Sequence, residues 1–137
     1  MSARTLGLSA VVLALVAGCG GGSKQVTEAS RTVERQPSAE DTLRRQFETA
    51  YFAIACIANH GKDPEMSITP MRRPSDYLVA VEGTGSPQES RVIRLLNDNG
   101  CPGIAAFRNL EIRLRGDRAY WGTVEDRFIP ELKRCPK

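Results

Sequence analysis

Between Ser38 and Asn59 apolar side chains return every three or four residues: Leu43, Phe47, Ala50, Tyr51, Ile54 and Ala58 share one side of a helical wheel. No other stretch of the 137 residues binds its own conformation so tightly. Ser38 follows Pro37 and has Asp41 three residues on, a near-match to a capping box that starts the helix there. Gly61 is placed to end it as the C′ residue. Phe52 and Cys56 fall on the opposite side, so a second element is expected over the helix's back, the C-terminal tail being the candidate. Whatever this chain folds into is built on that helix.

Upstream, the chain reads differently. Arg4 precedes an apolar run from Leu6 to Leu15, which ends in Val16-Ala17-Gly18-Cys19 and then Gly20-Gly21-Gly22. The run falls short of the ~20 apolar residues that span a bilayer, and has the charged, apolar and small-residue regions of a leader. An ordinary secretory leader with an incidental Cys19 is the simpler alternative. The segment resembles the lipobox of bacterial lipoproteins. That resemblance implies a diacylglyceryl thioether on Cys19, cleavage between Gly18 and Cys19, and a protein anchored to a cell membrane or outer membrane on its extracytoplasmic side. Each buried CH₂ contributes about 0.8 kcal/mol, so two or more acyl chains hold stably where one binds reversibly.

The expected organisation is therefore a leader over residues 1–18, a flexible tether over 19–37 and a small domain over 38–137. The tether is rich in Gly, Ser, Thr, Glu and Arg, with only Val26 and Val33 as larger apolar side chains, and buries too little to offset its ordering entropy. About 100 residues are left for one domain, a modest core. The net charge of +3 is too small and too interspersed to argue for nucleic acid.

Export also frames the cysteines. With Cys19 carrying lipid, Cys56, Cys101 and Cys135 lie where disulfides persist. One bridge is expected, with all three pairings open; Cys101 is favoured as a partner, and Cys56–Cys135 is admissible. Their spacing suits no metal site, and neither metal nor cofactor is expected.

Beyond the first helix the pattern reads as strands. Met66 to Met71 suits a short edge strand, Asp76 to Gly83 alternates, and Arg91 to Leu96 forms another. Leu110, Ile112 and Leu114 alternate with Glu111, Arg113 and Arg115, and Gly116-Asp117 suits a two-residue hairpin turn. That register sets Ile112 opposite Trp121 and Arg113 opposite Tyr120, where an arginine–tyrosine pair would stack. Phe128, Ile129 and Leu132 dock the tail, Pro130 allowing at most one helical turn. The expected class is α+β: one helix across a curved antiparallel sheet of about four strands. This order of elements resembles the cystatin-like and ketosteroid-isomerase-like rolls, an analogy of fold that carries no function.

Little chemistry stands out, and no catalytic residue is assigned. His60, the only histidine, sits where a helix C-terminus favours a cation; a role as general base in a minor envelope enzyme is the alternative. Gly83-Thr84-Gly85-Ser86 lacks the lysine of a phosphate loop and, in this reading, the helix that should follow. Arg113, Arg115 and Arg118 form a possible patch for an anionic partner, with Glu111 and Asp117 close enough to blunt it. The functional expectation is a lipid-anchored envelope protein whose small domain binds a ligand or an envelope protein. An accessory subunit of an envelope complex is a further alternative.

Overall fold

A computed structural model describes residues 36–137. The expected leader, the lipobox-like segment with Cys19, and the expected tether except for Gln36 and Pro37 lie outside the described residues. The expected first helix is present as α1, Ala39–Ala58. Its capping box is complete: Ser38 Oγ accepts the Asp41 N–H at 3.1 Å, and the Asp41 carboxylate accepts the Ser38 N–H at 3.2 Å. Phe47, Ala50, Tyr51, Ile54 and Ala55 are buried. Asn59 caps the C-terminus, and Gly61 lies two residues beyond it with φ 78°, a left-handed conformation that glycine adopts without strain.

The α+β expectation is overturned. Among the described residues there is no strand; four further helices follow, α2 (Pro74–Val81), α3 (Pro87–Asp98), α4 (Ile104–Arg115) and α5 (Arg118–Lys133). The expected edge strand at Met66 to Met71 is loop. Each of the other expected strands hid a helical spacing. In α4 the buried set is Ile104, Phe107, Leu110, Glu111 and Leu114, one face of a helix, while Ile112 points to solvent. Leu110 and Leu114 satisfy both an alternating and an i, i+4 pattern, and Phe107 breaks the tie. In α3, Val92 and Leu96 are likewise four apart. In α2, Tyr77, Leu78 and Val81 turn inward and Val79 outward, against the alternation.

Gly116-Asp117 is an interhelical corner and not a hairpin turn: Gly116 caps the end of α4, and Asp117 opens α5 by accepting the Tyr120 N–H at 3.1 Å. Pro130 lies inside α5, which runs on to Lys133. Proline there removes one backbone hydrogen bond, and the inward Val124, Phe128 and Leu132 carry the helix through.

α1 is the central element and packs against all four other helices. Its aromatic face supplies the core: Phe47 stacks on Phe107 with ring centroids 5.1 Å apart, and Tyr51 meets Trp121 edge-on at 5.6 Å. The back of α1 is covered by α5, as the Phe52 and Cys56 positions suggested: Arg127 lies over the Phe52 ring, and Cys56 is bonded to Cys135. The expected Arg113–Tyr120 stack is replaced by Arg44 over Tyr120 at 4.2 Å and Arg115 over Trp121 at 4.8 Å. No helix among the described residues is long and apolar enough to cross a membrane.

Candidate functional site at the necked loop

The segment joining α1 to α2 runs from His60 to Met71 and is tied off at its neck by one side chain. Asn59, 5% exposed, donates from Nδ2 to the carbonyls of Ala55 (2.9 Å) and Arg72 (2.8 Å), and its Oδ1 accepts the Arg72 N–H at 2.6 Å. A surface loop with its ends drawn together in this way is an Ω-type loop, a class that often carries function. Inside it, Asp63 accepts the Glu65 N–H at 2.9 Å, and the Ser67 hydroxyl donates to the Thr69 carbonyl at 2.9 Å. The tip holds two aliphatic side chains in solvent: Met66 is 78% exposed and Ile68 fully so.

Between this loop and the chain end lies a cleft of about 550 Å³. Asn59 to Glu65 form one wall, and Leu132, Lys133, Pro136 and Lys137 the other, with Cys56 and Cys135 at the junction. The Cys56–Cys135 disulfide, with Cα atoms 5.5 Å apart, staples the end of α1 to the end of α5, and Lys133 Nζ pairs with Glu65 at 2.6 Å across the two walls. Of the pairings left open by the sequence, the structure shows Cys56–Cys135 between described residues. Cys101 is 1% exposed, packed in the core between α3 and α4.

His60 lies immediately past α1 and lines the cleft, exposed, its backbone N–H donating to Ile57 at 3.4 Å. Among the described residues its ring has no hydrogen-bonded carboxylate or hydroxyl, the partner that a general base at this position would require. Gly83 to Ser86 does precede a helix, α3, contrary to expectation. The amides a phosphate would need are nevertheless taken by an internal anion: the Glu89 carboxylate accepts from Gly83 at 2.8 Å and from Gly85 at 2.6 Å. These bonds hold the Glu89 carboxyl below its ordinary range.

The three arginines of the expected patch come together at the corner between α4 and α5, beside the start of α1. Arg113 pairs with Glu40 at 3.5 Å, and Arg115 with the buried Glu111 at 2.9 Å, while Arg118 is exposed on the first turn of α5. Two of the three charges are spent on intramolecular pairs.

A polar group within the core escaped the sequence reading. Tyr51 Oη and Arg73 Nη1 are buried without a partner among the described residues. Arg73 lies over the Phe128 ring at 4.0 Å and pairs with Glu125 at 2.9 Å. Burial pushes the Tyr51 hydroxyl up to about 12, against the pull of the Arg73 guanidinium. The sequence held no signal for Arg73. It did hold one for the loop, since Met66 and Ile68 stand isolated among turn residues between Pro64 and Pro70. No group of side chains among the described residues has the make-up of a metal site. Comparison with protein-family models, with curated proteins and with solved structures found no match to this chain.

Proposed function

We propose that this chain is a lipid-anchored protein of the bacterial cell envelope, exported and tethered through Cys19, with a small helical domain that serves as a binding module. The observation that carries the reading is the Cys56–Cys135 staple. A disulfide that joins the end of the first helix to the end of the last is at home in an oxidising compartment, the one into which a lipobox sequence delivers a protein. Two further features support a binding role. The necked loop and the chain end frame a cleft of about 550 Å³, within the size range of small-molecule and peptide sites. The loop also holds two aliphatic side chains, Met66 and Ile68, exposed at its tip, where an apolar surface could cover them.

The test is metabolic labelling with palmitate in a bacterial host that has the lipoprotein pathway, followed by detergent phase partition. The expected result is label on the wild-type chain, partition into the detergent phase, and loss of both in Cys19→Ser. Unlabelled wild-type protein, or partition unchanged by the substitution, overturns the anchored reading.

A further inference from the structure

We infer that the α1–α2 loop and the adjoining chain end form a membrane-facing surface, which docks on an anionic phospholipid bilayer with Met66 and Ile68 entering the headgroup–acyl boundary. For its setting the inference rests on the lipid-anchored reading; its physical basis is local. Asn59 closes the neck of the loop by pairing with Arg72 in both directions, so the tip is held out from the body of the domain. At that tip two aliphatic side chains are exposed, Ile68 fully and Met66 at 78%.

Around the tip, cations outnumber acids. Lys62 and Lys137 line the cleft, Lys133 bonds Glu65, Arg134 is exposed, and Arg72 sits at the neck. Of the acids nearby, Glu65 is paired with Lys133 and Glu131 with Arg134, while Asp63 accepts the Glu65 amide and keeps its charge, one acid against the two remaining lysines. Lys62 and Lys137 are left for an external anion. Cations near an anionic leaflet add to the attraction one by one, while apolar side chains supply the part that salt does not screen.

The size of the patch selects the occupant. Two isolated side chains are too little for the core of a stable protein interface, which buries more than about 1,000 Å², but they suffice as a wedge in lipid that is already adjacent. Geometry permits the approach. From Cys19 to Pro37 the chain spans at most roughly 60 Å, whereas α1 with its 20 residues is about 30 Å long. The far end of α1 is therefore within reach of a bilayer that holds Cys19. At the opposite end, Arg113 and Arg115 are paired with Glu40 and Glu111, which leaves Arg118 the one unpaired member of that patch among the described residues.

The experiment uses the mature-length chain, residues 19–137 with Cys19→Ser, so that no acyl chain contributes. Co-sedimentation is measured with vesicles of phosphatidylcholine alone and of phosphatidylcholine mixed with phosphatidylglycerol, with the melting temperature of each variant as the check on folding. Binding to the anionic vesicles is expected, about tenfold or more weaker in Met66→Asp/Ile68→Asp and again in Lys62→Glu/Lys137→Glu, and unchanged in Arg113→Glu/Arg118→Glu. Absence of binding, binding indifferent to the loop substitutions, or binding lost only in the Arg113/Arg118 variant overturns the inference. The palmitate test is separate: an unlabelled Cys19 with vesicle binding intact removes the tether and leaves the surface, while a labelled Cys19 without vesicle binding does the reverse.

Discussion

Removing the Cys56–Cys135 bridge should cost this domain a large part of its stability. The bridge closes a loop with a sequence separation of 79 residues. In the chain-entropy treatment, a loop of that length restricts the unfolded ensemble by about 4.5 kcal/mol at room temperature. Residual structure in the unfolded chain reduces the effect, so about 2–4 kcal/mol is expected. The perturbation is the double variant Cys56→Ala/Cys135→Ala, preferable to a reductant because it leaves Cys101 untouched. Both side chains are only partly buried, so their truncation adds little of its own. The assay is equilibrium urea unfolding followed by circular dichroism. A domain of this size has a slope near 1 kcal/mol/M, so the midpoint should fall by about 2 M or more. The slope should also rise, because an uncrosslinked unfolded chain exposes more surface. A loss below about 1 kcal/mol would refute the entropic reasoning, and an unchanged slope would place the stabilisation in the native state.

Asn59→Ala removes three hydrogen bonds at the loop neck and should destabilise by about 2–3 kcal/mol, with faster tryptic cleavage after Lys62; unaltered cleavage would mean the neck does not hold the loop. Tyr51→Phe deletes a buried hydroxyl that has no hydrogen-bond partner of good geometry among the described residues and should be neutral or stabilising by up to about 1–2 kcal/mol, whereas a clear loss in chemical denaturation would show that the hydroxyl is bonded, the Arg73 guanidinium being the nearest candidate. The same hydroxyl sets an alkaline limit. Its folded value of about 12 lies above the ordinary 10, so the folded chain keeps its proton where the unfolded one loses it. Stability is fully present below pH 10 and falls as pH rises towards 12. Tyr120, raised by burial and by its bond to Glu48, acts in the same direction. Melting curves of Tyr51→Phe should therefore decline less steeply over that range, and superimposable pH profiles would contradict the assignment.

How far the candidate site was legible depends on how local each of its parts is. His60 and the end of α1 were placed correctly because a helix and its termini are written in consecutive residues. The neck was not, since Asn59 pairs with a residue thirteen positions on, and nothing in an asparagine announces a partner at that distance. A strand reading sets Arg113 and Arg115 on one face, with Arg118 across the turn. Arg113 and Arg115 do share a corner of the molecule, but Glu40 approaches from α1 and takes Arg113, a contact that a strand reading could not contain.

By itself the sequence determined α1: its capping box, its apolar face from Phe47 to Ile54, and the need for cover over Phe52 and Cys56, which α5 and Cys135 supply. Twenty residues of regular spacing leave one solution. Whether the remaining segments became strands or helices was decided only in the assembled fold. Stretches of 8–16 residues carry too few apolar positions to separate a period of two from one of three to four, and Leu110 and Leu114 fit both. What separates them is the surface they pack on. The aromatic ridge of α1 accepts Phe107, Val124 and Phe128 from neighbouring helices, and burying those side chains against it outweighs the local preference that an isolated reading of each segment would follow.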